Sequence, residues 1–435
     1  MKSDNTGKKQ IITFFTRLSA LLLSFTIILT ACGESETVTK KKKKKTDNTS
    51  SVSEQVSDNT SSDAEVSSVT SDSSTSSYTS AKKHERPWVG NNSRTTSAGV
   101  SSSTSSSTPS NNEDTQVESS LHDSLILLFQ NETKDDYMHS VAYYKDGEIT
   151  DMMFDSFVVT WIWHYVPSPT KDAIEDYFRK MFRKNLNMGA LNAAVGDAKK
   201  ALNRPNYKAN VWIGYWESNK SIGTNFGEVN GKRLDLTTQT DRDAATKWQI
   251  DEAIRLFNEQ GYENLQIAGF HCISESYDTT NDSTLATLQY FTKYVRSLGL
   301  KTNMGPYYNA PGWDKNELLG FDWNTLSPNY FKGTSPNAGG IERLESVGQK
   351  VKDLNIGMAM ELEAYDKVSV GVLKEYMKGG IDYNYMNVYH TWYMVNGSQG
   401  VEYIYNNEDP EIRSAYDEMY RYINRSLTVD SIALY

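Results

Sequence analysis

The chain has 435 residues, 38% of them apolar and 23% charged, with a mean hydropathy of −0.60 and two cysteines. Residues 1–118 hold 14 Lys+Arg and 13 Asp+Glu, so of 45 basic and 55 acidic residues overall, 31 and 42 remain for 119–435, a net charge near −11. That acidic remainder lacks the basic footprint of a nucleic-acid binder, and Cys32 and Cys272 make neither a disulfide-dense scaffold nor a four-Cys zinc site.

Lys2, Lys8, Lys9 and Arg17 precede an apolar stretch from Leu18 to Ala31. A basic start, a short hydrophobic centre and small residues at its end predict a secretory signal over 1–31, too short to span a bilayer comfortably, which takes about 20 residues. Leu29-Thr30-Ala31-Cys32 resembles the lipoprotein lipobox. The resemblance implies cleavage before Cys32 and diacylation of its thiol, which would hold the protein to the cell membrane on the extracytoplasmic side by acyl chains. Residues 32–120 carry the lysine block Lys40 to Lys45 and a long Ser/Thr-rich tract. Such a composition buries too little apolar surface to offset backbone ordering, so a disordered tether is expected.

From 121 to 435 the pattern changes to short apolar runs alternating with helical segments. The predicted strands are Leu125–Phe129, Phe157–Trp163, Asn210–Trp216, Leu265–Cys272, Lys301–Tyr308, Trp323–Asn329, Ile356–Glu363 and Asp382–Tyr389. Between them, apolar residues at i, i+3, i+4 and i+7 predict helices over Thr170–Leu186, Asp243–Gln260, Ser283–Leu298 and Ile341–Leu354. Gly261, Gly299 and Gly379 read as C-terminal caps. A loop or hairpin is expected around Gly147, and only Asp314–Leu319 is left for the fifth crossover. Eight strands alternating with helices predict an α/β domain over 121–435, a closed (β/α)8 barrel of the TIM type, with a doubly wound open parallel sheet as the alternative.

In such a barrel, chemistry belongs at the C-terminal ends of the strands. Glu361 and Glu363 are two apart on the seventh strand and share a face with Gly357 and Ala359, while Ile356, Met358, Met360 and Leu362 suit packing against helices. Both acids are therefore expected in the barrel mouth, and Glu275 follows the fourth strand across from them. Two carboxylates across a cleft are what glycosidic bond cleavage uses: one protonates the leaving oxygen, the other attacks or activates water. Trp163, Trp216, Tyr307, Tyr308 and Trp313 supply aromatic platforms for sugar rings, and His271, Asn309 and Asn329 supply polar groups to position them. His164, His271 and His390 lack close metal-ligand spacing, so no metal is expected. No phosphate-cradling loop follows the first strand and no Gly-x-Ser-x-Gly elbow is present, so no cofactor and no α/β-hydrolase chemistry are expected.

Gly269-Phe270 followed by Glu275, then Gly305-Pro306-Tyr307-Tyr308-Asn309-Ala310-Pro311-Gly312-Trp313, Leu319-Gly320-Phe321-Asp322, Ser327-Pro328-Asn329-Tyr330-Phe331 and Gly357-Met358-Ala359-Met360-Glu361-Leu362-Glu363 resemble a family of bacterial extracellular proteins, the domain-of-unknown-function 4855 family. The resemblance spans 121–435 and implies a glycosidase-like barrel acting on carbohydrate; it supplies no mechanism. Ser327 departs from the amide side chain expected before Pro-Asn-Tyr, and His271-Cys272 from more usual aromatic residues. Together these readings predict a lipid-anchored glycoside hydrolase with Glu275 as acid/base and Glu361 or Glu363 as nucleophile or base. The alternative is a surface lipoprotein that binds glycan or cell wall without cutting it. Neutral or basic glycans suit the acidic domain better than acidic ones.

Overall fold

A computed structural model describes residues 123–160, 169–331 and 339–433. The signal segment, the tether, Cys32, Trp161, Trp163 and His164 lie outside the described residues. In chain order the elements are β1 (Ser124–Leu128), α1 (Met138–Val141), β2 (Ala142–Lys145), β3 (Glu148–Met152), β4 (Ser156–Thr160), α2 (Lys171–Met181), α3 (Met188–Ala201) and β5 (Ala209–Tyr215). Then come β6 (Gly227–Val229), β7 (Lys232–Leu234), α4 (Gln239–Gln260), β8 (Leu265–Cys272), α5 (Asp282–Ser297), β9 (Lys301–Met304), α6 (Asn316–Leu319) and β10 (Trp323–Leu326). The last are α7 (Glu342–Leu354), β11 (Gly357–Leu362), α8 (Lys367–Asp382), β12 (His390–Met394), α9 (Ser398–Tyr405) and α10 (Pro410–Ile423). Among the described residues no helix is long and apolar enough to cross a membrane.

Eight strands close a barrel in the order β1-β12-β11-β10-β9-β8-β5-β4, every neighbouring pair parallel. The barrel, and not the open sheet, is the fold. The hairpin expected around Gly147 is β2–β3, and a second hairpin, β6–β7, sits in the crossover after β5. Local chemistry sets the helix ends. Thr170, Thr238, Asn281, Asp366 and Asp409 each accept a backbone N–H from the first turn of the helix they precede. Gly261 ends α4 in the left-handed conformation.

Several expected elements need correction. The eighth strand is His390–Met394, not Asp382–Tyr389. The run Tyr383-Asn384-Tyr385 reads as a strand by composition, but Asn384 has φ 61° and turns the chain, and Tyr385 is buried with its hydroxyl donating to Tyr376 O at 2.7 Å. Gly379 is not a cap either; it lies inside α8. A Cβ there would meet Tyr385 Oη, and one at Gly380 would meet Tyr422 Oη, so this glycine pair lets two tyrosines approach the helix. The fifth and sixth strands stop early, at Met304 and Leu326, because Pro306 and Pro328 cannot donate to a ladder.

Aromatic rings fill the floor of the barrel. Trp212 meets Trp323 at 4.9 Å and Trp323 meets Tyr389 at 5.5 Å between centroids. Their polar ends are tied in: Trp212 Nε1 donates to Ser156 Oγ at 3.2 Å, and Tyr389 Oη donates to Ser124 Oγ at 2.8 Å. Gly269 makes room for this layer, since a Cβ there would fall 2.8 Å from the Trp212 ring and 2.0 Å from Lys301 O. Above the floor the interior turns polar, with His271, Asn303, Thr325, Ser327, Thr391 and Glu361 all buried.

Candidate active site

The strand alternation places Glu361 as expected. Met358, Met360 and Leu362 are fully buried, and Glu361 points to the other face, 7% exposed. Burying a carboxylate is costly unless donors surround it, and two hydroxyls do. Ser327 Oγ donates to Oε1 at 2.6 Å and Tyr376 Oη donates to Oε2 at 2.5 Å. Burial pushes this carboxyl above the ordinary range; the two hydroxyl donors, the Asn329 backbone and the Arg343 charge pull it back toward the ionised form.

Tyr376 reaches Glu361 from α8, and Ser327 from an unusual turn after β10. Asn329 holds φ 47°, a conformation asparagine tolerates better than most residues. Its Oδ1 accepts the Tyr308 N–H at 2.7 Å, and its own N–H also reaches Ser327 Oγ at 3.2 Å. Ser327, the departure from the expected amide, thus serves the carboxylate directly, as a hydroxyl donor to Glu361.

Glu275 lies in the loop after β8 and Glu363 one step beyond β11, both exposed to water in the mouth. Protein atoms still crowd around the two carboxyls: burial first, and the Glu361 charge second, lifts each to about 7. Mouth water screens part of this effect; the direction favours a protonated carboxyl at each position near neutrality. Tyr393 on β12 is register partner to Glu361 and lies in the field of all three carboxylates, with burial and those charges raising its phenol. Sequence reading missed Tyr393 because it ended the eighth strand before that residue. Tyr376 and Arg343 were missed because they reach the site from helices, where no strand pattern points to them.

His271 is buried on β8, its Nδ1 2.6 Å from Asn303 Oδ1. With an amide oxygen as partner, Nδ1 carries the proton and Nε2 is left as an acceptor. Burial outweighs that hydrogen bond and lowers the imidazole to about 4, so it is neutral at physiological pH. Gly305 packs beside the ring, the nearest His271 atom being 3.7 Å from where a Cβ would stand. Among the described residues Thr160 Oγ1, at the top of β4, is buried without a hydrogen-bond partner.

The remaining aromatic candidates divide. Tyr307 is half-buried just past β9. Tyr308, Asn309 and Trp313 gather toward α7: Arg343 stacks over the Tyr308 ring at 4.4 Å, and Lys350 lies 4.3 Å from the Tyr308 ring and 4.7 Å from the Trp313 ring. Lys350 Nζ also donates to Asn309 Oδ1 at 2.7 Å. Trp216 packs edge-on against Tyr177 at 4.5 Å, and its backbone is bound at both ends by Gln249. These contacts fasten the mouth loops to the outer helices. Among the described residues no three His, Cys, Asp or Glu side chains are placed to hold a metal ion.

A family model, Domain of unknown function (DUF4855), matches residues 128–421. No curated protein matches the chain. Among solved structures, a family 18 chitinase from Crocus vernus is similar at 11% identity and a TM-score of 0.37, covering 67% of this chain and 98% of that one. A mutant tryptophan synthase α-subunit from Pyrococcus furiosus is similar at 11% identity and a TM-score of 0.33, covering 70% and 97%. An α-amylase from Malbranchea cinnamomea is similar at 10% identity and a TM-score of 0.35, covering 70% and 77%. At scores this low, the likenesses say nothing of the chemistry of this chain.

Proposed function

The chain belongs to the DUF4855 family, and we propose that it is a glycoside hydrolase whose reaction takes place among Glu275, Glu361 and Glu363. One observation carries the reading. Of the three carboxylates, Glu361 is gripped by two hydroxyl donors, while Glu275 stands in its field with its carboxyl lifted to about 7. Environments that treat neighbouring carboxyls so differently assign them different tasks. Glu275 is the general acid, giving its proton to the glycosidic oxygen as the bond to the anomeric carbon breaks. Glu361 is the ionised partner that attacks that carbon or takes the proton from an attacking water. Glu363 adds a third carboxyl beside it, and Tyr393 a phenol. His271 Nε2 accepts a sugar hydroxyl, with Tyr307, Asn329 and Thr160 as further polar contacts.

A mouth with three carboxyls favours neutral or basic glycans and repels acidic ones. The chain acts on the extracytoplasmic side of the membrane, held by a lipid on Cys32.

The test is incubation of the full chain with a panel of plant, host and bacterial glycans, followed by measurement of new reducing ends. Wild type is expected to cut at least one of them. E275Q and E361Q should each lose about 10²- to 10⁴-fold in rate, the usual worth of a positioned acid or base, with unchanged melting. A wild-type protein inert across the whole panel would contradict the proposal.

A further inference from the structure

We propose that Arg343 is a positioning residue for Glu361: from the first turn of α7 it holds the Ser327–Asn329 turn in place and faces the carboxylate with a positive charge.

The geometry forms a closed circuit. Arg343 Nη1 donates to Pro328 O and to Asn329 O, both at 3.2 Å, and the same guanidinium stacks on Tyr308. Tyr308 N–H in turn donates to Asn329 Oδ1 at 2.7 Å. Asn329 is therefore gripped at its carbonyl and at its side chain, and these grips hold the φ of 47° with which its N–H reaches Ser327 Oγ, the donor to Glu361. A flat guanidinium fork suits this work, since it can bind two carbonyls and stack on a ring at once. Gly339 clears the way: a Cβ there would lie 1.8 Å from Arg343 Nε. Asn329 was legible in the sequence as a polar site residue; its link to Arg343 was not, because the two belong to different elements.

The guanidinium also brings a positive charge to a carboxylate with acidic neighbours. Glu361 faces Glu275 from the loop after β8, Glu363 from the end of its own strand, Tyr393 from β12 and the neutral Tyr376 phenol from α8. Among the described residues, Arg343 is a cation that opposes this acidic company.

The inference rests on Glu361 being the reactive carboxylate, but its test needs no substrate. In the full chain labelled with ¹³C-carboxyl glutamate, the Glu361 resonance is assigned by its loss in E361Q and then titrated. Removing the cation in R343Q or R343M is expected to raise the Glu361 midpoint by about one pH unit. R343K, which keeps the charge and loses the planar fork, should raise the midpoint by less than half as much as the neutral variants do. A midpoint unmoved in whichever neutral variant folds would overturn the inference, as would a shift in R343K as large as in the neutral variants. Because the titration reads the free protein, a failed glycan panel with a positive titration would remove the hydrolase reading and leave the positioning role standing.

Discussion

Ser327 contributes one hydroxyl to the Glu361 carboxylate, at 2.6 Å. A hydrogen bond to a buried charge is worth roughly 1.5–3 kcal/mol, so S327A should lower kcat/KM by about 10- to 100-fold. It should also move the acidic limb of the pH profile upward, since loss of a donor disfavours the ionised form; an unmoved limb would mean that Ser327 does not serve that carboxylate. Glu275 sets the other limb. A general acid works in its protonated form, and this carboxyl is lifted to about 7. Activity should therefore be present below about pH 7 and fall as pH rises through it, a course read from kcat/KM against pH. A fall near the ordinary carboxylate value of 4.5 would contradict the assignment. At this scale the inward pointing of Glu361 was legible, because alternation along a strand needs only the apolar residues around it. The two hydroxyl donors that make Glu361 different from Glu275 were not, since they arrive from the turn after β10 and from α8.

Barrel strands have to meet end to end, and Asp123 shows how β1 and β12 are joined. Its carboxylate receives both Arg425 terminal nitrogens, at 2.7 and 3.0 Å, and Trp392 Nε1 at 3.1 Å, and it lies 3.0 Å from His390 Nδ1. Asp123 is fully buried, and although burial alone would raise its carboxyl, Arg425 and His390 hold it far below the usual range. D123N should cost about 3–5 kcal/mol, because it leaves the Arg425 charge without its counterion. Urea unfolding measures this, and a loss below about 1 kcal/mol would mean the cluster does not tie the ends together. The sign of the pH effect follows from the lowered carboxyl. Its contribution is fully present above the unfolded value near 3.8 and is lost only as pH falls below that. His271 acts in a milder window. Its folded value of about 4 lies below the ordinary 6.5, so its contribution is present above 6.5 and declines as pH falls toward 4. H271Q should flatten the stability curve across that interval. At this scale β8 was read to the residue. The eighth strand was displaced because tyrosine-rich turns and strands share a composition, and only tertiary packing of Tyr385 onto α8 separates them.

Over the whole described domain, an aromatic floor supports a polar interior, and that interior opens on carboxylates. Trp212, Trp323 and Tyr389 close the lower barrel; above them, buried polar side chains lead up to Glu361. The alternation of strands and helices was enough to place the mouth and two of its sides. It could not tell which mouth aromatics remain open to a ligand, and three of them, Tyr308, Trp313 and Trp216, are engaged with Lys350, Arg343 and Tyr177. The measurement that bears most directly on the proposed hydrolase is the mass of a glycan bound by the full chain, before and after long incubation, with E361Q alongside. The account predicts that wild type shortens the glycan by hydrolysis while E361Q binds it and returns it intact. A glycan that wild type binds and returns unchanged would contradict it and make the mouth a site of recognition alone.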